Sequence, residues 1–392
     1  MNTNDTNIVL IGAGRMGQAI AYDLRHYDPH YPVFVIDNDA DALDRLANIV
    51  GTEGLELVSG DISDEKLIRN LLKRTIPMAK STVVIGAADY RLNYKLTMAA
   101  IENGASWVDL GGNNNVVARQ FELDDAAKSA GVSVVPDCGL APGMVNVLAG
   151  DARNRLDTMD ELHFRVGGLP QFPKPPLFYG LVFSADGLAN EYSEPCRIIE
   201  NGEAFNVDPL TGWERIHVGP PYGTLEAFHT SGGSSTMTDT FEGIVQSLDY
   251  KTLRYQGHLK NIRLLLDLGL FDAGEIEISD TVSVAPRRLF GKILERPGWV
   301  EEDVVVMVGW AEGMRDNRNI KVKYRLFDEY DSETGLTAMA RTTGFSAAVI
   351  ARMIADERIN ERGALRQEVS VPPDQYIEEM QQRNVRIEIE SV

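Results

Sequence analysis

Short apolar stretches alternate with amphipathic helical patterns along the first third of the chain. Apolar runs predict strands at 7–11, 32–36, 54–58, 82–86, 106–110 and 132–135. Apolar residues at helical spacing predict helices at 40–50, 65–75, 91–103 and 116–130. Strands that alternate with helices in this way are typical of a doubly wound parallel sheet, so we expect an α/β domain here.

The pattern changes after Gly143. A helix is predicted at 144–156, and the chain then shows short alternating stretches separated by Pro and Gly. These stretches predict strands at 163–166, 181–184, 281–285, 304–310 and 320–327. We therefore expect a first domain at 1–142, completed by a C-terminal helical segment at 344–392. Residues 143–343 should form an α+β domain on a mostly antiparallel sheet, for substrate binding, catalysis and oligomerisation.

The first predicted strand leads directly into Gly12, Gly14 and Gly17, and a helix follows. This layout is typical of a dinucleotide site, because glycines allow a sharp turn and a close approach of a pyrophosphate to the helix N-terminus. The second strand ends at Asp37, whose carboxylate can accept hydrogen bonds from the adenosine ribose and repel a 2′-phosphate. Since Asn38 follows it instead of an arginine, we expect NAD, with NADP less favoured.

A bound dinucleotide lies beyond the carboxyl ends of the strands in such a sheet. The residues that follow the predicted strands are mostly small, as a cofactor close to the backbone requires. Besides the three glycines and Asp37, we predict cofactor contacts from Ala13, Arg15, Met16, Asn38, Asp61, Ile62, Ala87, Ala88, Gly111, Leu140 and Pro142.

Composition narrows the range of partners. The chain has 392 residues and a formal net charge of -20, which argues against binding to nucleic acid or to an anionic membrane surface. The first residues lack the pattern of a signal peptide and no run is long enough to span a bilayer, so a cytoplasmic protein is expected. Cys138 and Cys196 are far apart without metal-ligand spacing, and we predict no metal site.

A basic and aromatic segment stands out in this acidic chain: Tyr250, Lys251, Arg254, Tyr255 and His258. The guanidinium of Arg254 can hold a substrate carboxylate in a bidentate pair, with Lys251 as a point charge beside it and Tyr250 nearby. The alternative is a solvated basic strand that pairs with acids of the surface.

Two further segments offer substrate contacts. Thr230 and Gly233 lie in a run of Ser, Thr and Gly that can present amides and hydroxyls to a ligand, although a flexible loop has the same composition. Glu191 and Tyr192 can bind an ammonium group through a carboxylate and an aromatic face. The alternative for Glu191 is an ordinary surface acid.

The sequence resembles the saccharopine dehydrogenase-like oxidoreductases, and among them the lysine 6-dehydrogenases. The resemblance rests on the motifs at 108–112, 139–144, 225–233 and 250–258. It implies a Rossmann domain, a mixed α/β substrate domain, NAD(P) chemistry at an amine carbon, and usually a homodimer. The saccharopine-forming branch usually has Asp before the proline of the 139–144 motif, and Ala141 points instead to the amine-dehydrogenase branch.

This resemblance implies oxidation of the L-lysine side-chain amine to a semialdehyde that cyclises. The amine must lose a proton before hydride transfer, and His258 is our first candidate for the general base, with Asp109 and Lys251 as competitors. Saccharopine, ornithine or a carboxylated polyamine are alternative substrates. A non-enzymatic alternative is a regulatory protein that binds NAD without chemistry.

Overall fold

The structure is a computed structural model, and it describes residues 6–75, 78–296, 300 and 302–392. The chain divides into two compact units, Met1–Asp151 with Ala340–Val385, and Ala152–Met339 with Arg386–Val392. The sequence placed the division at 142/143, before a helix that the structure assigns mostly to the first unit. Residues 386–392 belong to the second unit, whereas the sequence placed them in the first.

The elements up to residue 155 are, in chain order, β1 (Thr6–Ile11), α1 (Arg15–His26), β2 (Val33–Asp37), α2 (Ala40–Val50), β3 (Leu55–Ser59), α3 (Glu65–Thr75), β4 (Ser81–Gly86), a 3₁₀ turn (Tyr90–Leu92), α4 (Asn93–Glu102), β5 (Ser106–Asp109), α5 (Asn114–Phe121), α6 (Asp124–Ala130), β6 (Ser133–Val135) and α7 (Met144–Arg155). The predicted helix at 116–130 is two helices, α5 and α6, separated by a short break.

A parallel sheet forms the centre of the first unit. Among the described residues it has seven strands in the order β17-β6-β5-β4-β1-β2-β3, where β17 is Gly363–Ala364. Strand order reverses between β1 and β4, which places the ligand-binding crevice beyond their carboxyl ends. The central strands are mostly apolar because both faces are covered, whereas the edge strand β3 is only partly buried. Val9, Val84 and Trp107 belong to one buried cluster. The predicted α/β fold class is confirmed.

The second unit begins with β7 (Thr158–Pro170), α8 (Ala185–Ser193), β8 (Cys196–Glu200), β9 (Glu203–Val207), β10 (Glu214–Gly219), β11 (Gly223–His229), α9 (Met237–Phe241), β12 (Ser247–Arg254), α10 (His258–Asp267), β13 (Ile276–Ser279), β14 (Val282–Val284), α11 (Pro286–Glu295), β15 (Asp303–Arg315) and β16 (Arg318–Glu329). The remaining elements of the chain are α12 (Ala338–Ala355), β17, α13 (Gln367–Ser370), α14 (Pro373–Gln382) and β18 (Ile387–Ser391).

The main sheet of the second unit is mixed but mostly antiparallel. Its principal order is β10-β11-β12-β7-β15-β16-β18, with β8 and β9 attached beside β12. β12 and β7 run parallel, and the other pairs in this order run antiparallel. This agrees with the predicted α+β domain, and β12, beside the central strand β7, carries Tyr250, Lys251 and Arg254.

Two predictions for this part of the chain are wrong. Residues 181–184 do not form a strand; Leu181 is buried in an apolar cluster around α8, so their apolar pattern reflects packing of a loop. The segment 344–392 does not lie wholly in the first unit, because β18 pairs with β16. The first part of that segment fits the prediction, since a Cβ on Gly344 of α12 would lie 2.8 Å from Ala19 of α1.

Candidate active site

The turn after β1 has the shape that a dinucleotide needs. Gly12 has a φ of 108°, and a Cβ there would lie 2.5 Å from the carbonyl oxygen of Ala87. A Cβ on Gly17 would overlap the carbonyl oxygen of Gly12, so this glycine lets α1 lie close to the turn. By contrast, a Cβ on Gly14 would meet no atom within 4 Å. Gly14 therefore leaves open space at the N-terminus of α1, which fits a phosphate group.

Asp37 lies at the carboxyl end of β2 and faces this turn. Its Oδ2 accepts a hydrogen bond from the Ala13 amide at 2.6 Å, and Oδ1 accepts one from the Asp39 amide at 2.8 Å. The neighbouring Asn38 is exposed. The geometry thus holds an ionisable carboxylate at the edge of the crevice where the adenosine ribose of a dinucleotide would lie.

The other predicted cofactor residues lie at or near the strand ends of the first unit or on the first turn of α1, as expected. They are Arg15, Met16, Asp61, Ile62, Ala87, Ala88, Gly111, Leu140 and Pro142. Asp61 differs from the expectation in one respect. Its carboxylate accepts hydrogen bonds from the amide and hydroxyl of Ser63, at 2.9 and 2.8 Å, and these lower its pKa. Its carboxylate is thus already engaged within its own turn.

Asp109 is buried and serves as an anchor within the first unit. Its carboxylate accepts hydrogen bonds from Trp107 Nε1 and Gln120 Nε2, both at 2.6 Å, and from the Gly111 amide at 2.7 Å. Burial raises the pKa of Asp109, and the hydrogen bonds oppose this rise. These contacts hold the turn after β5 and give Asp109 a structural role, whereas the sequence offered it as a candidate general base.

Arg254 is the centre of a buried cluster of side chains in the second unit. Its side chain lies on the same face of β12 as Tyr250 and is only 2% exposed. Nε donates to the hydroxyl of Tyr192 at 2.9 Å, and the guanidinium carbon lies 4.7 Å from the ring centre of Tyr179. Nη2 lies 3.6 Å from Oε2 of Glu191. The guanidinium is therefore fixed in position, as a carboxylate-binding arginine should be.

Glu191, on α8, provides a carboxylate beside this guanidinium. Its Oε2 is buried without a hydrogen-bond partner, although 24% of the side chain is exposed. Burial raises the pKa of Glu191 to about 7, and the charge of Arg254 opposes this rise. One anion-binding and one cation-binding group thus lie side by side, which suits the carboxylate and ammonium of an α-amino acid.

The other predicted substrate residues gather around the same face. The hydroxyls of Thr230 and Thr252 form a hydrogen bond of 2.6 Å. The Ser231 amide donates a hydrogen bond to the carbonyl oxygen of Glu191 at 3.0 Å. A Cβ on Gly233 would overlap the ring of Tyr250. Gly233 is therefore explained by close packing under Tyr250. The structure brings together Arg254, Tyr250, Thr230, Gly233 and Glu191, as predicted.

His258 occupies a different role from the one predicted. Its Nδ1 lies 2.8 Å from the carbonyl oxygen of Leu177, which can only accept, so Nδ1 carries the proton. Nε2 then accepts from the hydroxyl of Tyr192 at 2.9 Å. Burial and the charge of Arg254 lower the pKa of His258 to about 3. These contacts support a positioning residue that holds Tyr192 and, through it, Arg254; they do not support a general base.

Lys251 does not lie beside Arg254, in contrast to the expectation from sequence. Successive side chains of a strand point to opposite faces, so Lys251 faces away from Tyr250 and Arg254. Its Nζ lies 3.0 Å from Oε1 of Glu214 and 3.4 Å from Oδ2 of Asp249. Lys251 therefore belongs to an ion-pair network on the other face of the sheet. The charged residues of this segment are thus divided between the two faces of β12 by strand alternation.

Sequence analysis missed Tyr179, which packs against the guanidinium of Arg254. It lies far from Arg254 in the chain, and no motif connects the two.

Metal binding finds no support in the described ranges, where no group of three or more His, Cys, Asp or Glu side chains is arranged to hold an ion. No helix in the same ranges is long and apolar enough to cross a membrane.

Both halves of the chain match models of one protein family. Residues 8–135 match the saccharopine dehydrogenase NADP binding domain, and residues 139–385 match the saccharopine dehydrogenase C-terminal domain. The chain belongs to the saccharopine dehydrogenase family. These two matches confirm the family resemblance predicted from the motifs. The first matched region contains the glycine turn with Asp37, and the second contains the Arg254 cluster.

Individual members of the family are distant from this chain. The NADP⁺-dependent, L-glutamate-forming saccharopine dehydrogenases of Pyricularia oryzae and Saccharomyces cerevisiae are 24% and 23% identical over 63% and 69% of it. The aligned regions span only 55% and 60% of those two proteins. The carboxyaminopropylagmatine dehydrogenase of a Synechocystis strain is 20% identical, with 94% of each chain covered.

The fold also matches a solved member of the family. The apo saccharopine dehydrogenase of Saccharomyces cerevisiae superposes with a TM-score of 0.79 and 18% sequence identity, covering 98% of this chain and 99% of that one. At this identity the comparison establishes the fold. It agrees with a Rossmann-like parallel sheet followed by a mixed sheet.

Proposed function

We propose that this chain is a nicotinamide-dependent dehydrogenase that oxidises a C–N bond of an amino acid, with the side-chain amine of L-lysine as its substrate. The observation that carries this proposal is the Arg254 and Glu191 pair, whose Nη2 and Oε2 atoms lie 3.6 Å apart. Arg254 would hold the α-carboxylate and Glu191 the α-ammonium of the amino acid. The side chain of the substrate then remains available for oxidation.

The residues around the pair supply orientation. The Tyr192 hydroxyl accepts a hydrogen bond from Arg254 Nε and donates one to His258 Nε2. Together, Tyr192 and His258 hold the guanidinium in one direction before the substrate binds. His258, with a pKa of about 3, stays neutral near physiological pH and preserves this arrangement. The substrate ammonium would first lose one proton to water, and a nicotinamide cofactor, when bound, would supply the acceptor for the hydride of the amine carbon. Water would then hydrolyse the imine, releasing ammonia and the semialdehyde, which cyclises onto its own α-amine.

The second candidate is a secondary amine that bears more than one carboxylate. The names of the relatives favour it, since they are saccharopine dehydrogenases and a carboxyaminopropylagmatine dehydrogenase. Such a substrate carries a bridging nitrogen between two carbon chains. A saccharopine molecule would engage Arg254 with one carboxylate and need further cations for the others. Strand alternation directs Lys251 away from Arg254, toward Glu214.

For the cofactor we propose a preference for NAD. The matched family domain and the fungal relatives are described as NADP-binding, which points to NADP. The support for NAD comes from Asp37, because a carboxylate at the end of β2 would accept hydrogen bonds from ribose hydroxyls and repel a 2′-phosphate. The open space at Gly14 fits the pyrophosphate common to both cofactors.

A turnover screen tests this proposal. We expect the purified chain to reduce NAD with L-lysine at a higher kcat/KM than with saccharopine, L-ornithine or a carboxylated polyamine, and to use NADP less well. The measurement is absorbance of the reduced nicotinamide. Turnover of saccharopine without lysine would contradict the proposed substrate and support the second candidate. Tight NAD binding without any turnover would instead indicate a regulatory protein.

The raised pKa of Glu191 predicts that kcat/KM changes with pH in a defined direction. Below a pH of about 7 its carboxyl is mostly protonated and neutral, and above it the anion predominates. Since only the anion attracts an ammonium group, kcat/KM for lysine should rise as the pH increases through this value. We expect Glu191→Gln to remove this step and to lower kcat/KM above neutral pH about 30-fold. The exposed Glu203→Gln is the matched control, and an unchanged step in Glu191→Gln would contradict the assignment.

A further inference from the structure

The hydroxyl of Tyr179 is a buried hydrogen-bond donor without an acceptor. Tyr179 lies between β7 and α8, and its buried hydroxyl oxygen forms no hydrogen bond in the part of the chain that the structure describes. The nearby backbone amide of Val182 lowers the pKa of the phenol, but an amide can only donate. The hydroxyl proton is therefore left without a partner. Because buried polar groups are almost always paired, this exception requires an explanation.

The ring of Tyr179 is held in place by two neighbours. The guanidinium carbon of Arg254 lies 4.7 Å from its ring centre, and the ring of His258 lies edge-on to it with 5.4 Å between the ring centres. These contacts involve the ring and leave the hydroxyl unused. Burial raises the pKa of the phenol well above its ordinary value, so the hydroxyl keeps its proton and is able to donate it in a hydrogen bond.

Glu191 contains the complementary atom, a buried acceptor without a donor. Its Oε2 forms no hydrogen bond with any described residue, although Nη2 of Arg254 lies 3.6 Å away. The charge of Glu191 raises the pKa of Tyr179, so the carboxylate and the phenol lie within electrostatic reach of each other. A donor and an acceptor in one buried cluster would normally pair, and these two do not. Each is therefore available to a third molecule that presents an acceptor to Tyr179 and a donor to Glu191.

Arg254 uses part of its donor set within the protein. Its Nε donates to the hydroxyl of Tyr192 and its Nη1 to the carbonyl oxygen of Leu253, both at 2.9 Å. These contacts orient the guanidinium, and fewer of its N–H groups remain for a ligand. A carboxylate accepts several hydrogen bonds through its two oxygens, so a further donor beside Arg254 would strengthen its binding. Tyr179 supplies such a donor and adds no charge.

We infer that the Tyr179 hydroxyl donates a hydrogen bond to the α-carboxylate of the substrate and thereby selects α-amino acids over amines that lack this group. The inference rests on the proposed function, because it assumes that Arg254 and Glu191 hold an α-amino acid. The unpaired group of Tyr179 is a proton donor, and of the two charged groups of an α-amino acid only the carboxylate accepts. The substrate thus pairs the donor that folding leaves unpaired.

A hydroxyl that serves only the ligand should contribute nothing to the stability of the free protein. Tyr179→Phe removes a buried donor that has no acceptor and keeps the ring against Arg254, so the melting temperature should stay the same or rise. Tyr192→Phe provides the contrast, since its hydroxyl forms hydrogen bonds with Arg254 Nε and His258 Nε2. Removal of that hydroxyl should lower the melting temperature.

The test uses L-norleucine, which has the α-carboxylate and α-ammonium of lysine but no side-chain amine to oxidise. Its dissociation constant is measured by NMR titration at saturating nicotinamide cofactor and compared with that of n-pentylamine, the same molecule without the carboxylate. We expect Tyr179→Phe to weaken norleucine binding about 10-fold and to change pentylamine binding less than about 2-fold. The matched control is Tyr222→Phe, whose hydroxyl donates to Glu329 at 2.6 Å, and it should bind norleucine as the wild type does.

The possible outcomes separate this inference from the proposed reaction. Equal norleucine affinity in Tyr179→Phe and Tyr222→Phe would overturn the inference. A lowered melting temperature of Tyr179→Phe, with equal weakening of both ligands, would also overturn it, because the hydroxyl would then support the fold. A wild-type chain that does not bind norleucine would overturn the proposed substrate site together with this inference. Norleucine binding that depends on Tyr179, without any oxidation of lysine, would support the inference and contradict the proposed reaction alone.

Discussion

Replacing Gly14 with alanine should weaken nicotinamide binding about 100-fold while leaving the folded structure intact, because its Cβ would fill the space of a phosphate. The substitution meets no protein atom within 4 Å, and the backbone of Gly14, at φ -64° and ψ -171°, accepts alanine without strain. Cofactor titration by fluorescence and the melting temperature are the two measurements. A large loss of affinity at an unchanged melting temperature is the expected combination.

Two other glycines provide the comparison. In Gly17→Ala the new Cβ would overlap the carbonyl oxygen of Gly12, so this variant should lose stability as well as affinity. Gly274, like Gly14, has open space around its missing Cβ and lies in the other unit. Gly274→Ala should change neither cofactor affinity nor melting temperature. If Gly14→Ala bound the dinucleotide as tightly as Gly274→Ala, the first unit would not hold its pyrophosphate at this turn.

This cofactor turn was predictable because its information is local. Gly12, Gly14 and Gly17 follow one apolar strand within a few residues, and Asp37 ends the next strand along the chain. Each of these positions has a physical requirement that a short stretch of sequence displays. The parallel sheet was predictable for the same reason, since strand and helix patterns alternate in chain order. The predicted helix at 116–130 is divided into α5 and α6, and the two-residue edge strand β17 was not predicted.

The Arg254 cluster was predictable only in part, because its composition depends on which face each side chain of β12 occupies. Arg254 was identified from its charge in an acidic chain, but the same argument wrongly grouped Lys251 with it. Strand alternation separates the two, and the strand itself is clear only from its pairing with β7 and β11. Tyr179 reaches Arg254 through tertiary packing, for which the sequence has no local signal.

The role of His258 illustrates the same limit. A histidine next to a basic segment suggests proton transfer, and its usual pKa suits that role. In the fold it opens α10, and the carbonyl oxygen of Leu177 and the hydroxyl of Tyr192 occupy both ring nitrogens. Its burial beside Arg254 keeps it neutral. A residue selected for acid–base chemistry thus serves to orient the guanidinium.

Replacing Arg254 with lysine should raise the KM for the amino-acid substrate about 30-fold or more, a loss of roughly 2 kcal/mol or more in binding. Lysine keeps the positive charge but loses the fork of donors that grips a carboxylate, and it also loses the Nε contact with Tyr192. The KM for the nicotinamide cofactor should change less than about 3-fold, because Arg254 belongs to the second unit and the cofactor turn to the first. Steady-state kinetics with each substrate varied in turn separates the two constants.

Tyr192→Phe is a more specific variant for comparison with Arg254→Lys. It leaves the guanidinium in place and removes the hydroxyl that orients it. We expect a smaller rise in the same KM, about 5-fold, the cost of roughly 1 kcal/mol for one hydrogen bond. Melting temperatures distinguish loss of substrate contact from loss of folding, because Arg254 is buried and its replacement by lysine removes the Nε contact with Tyr192. Equal increases in both KM values for Arg254→Lys at an unchanged melting temperature would refute the carboxylate-binding role, since a substrate anchor cannot weaken cofactor binding to the same degree.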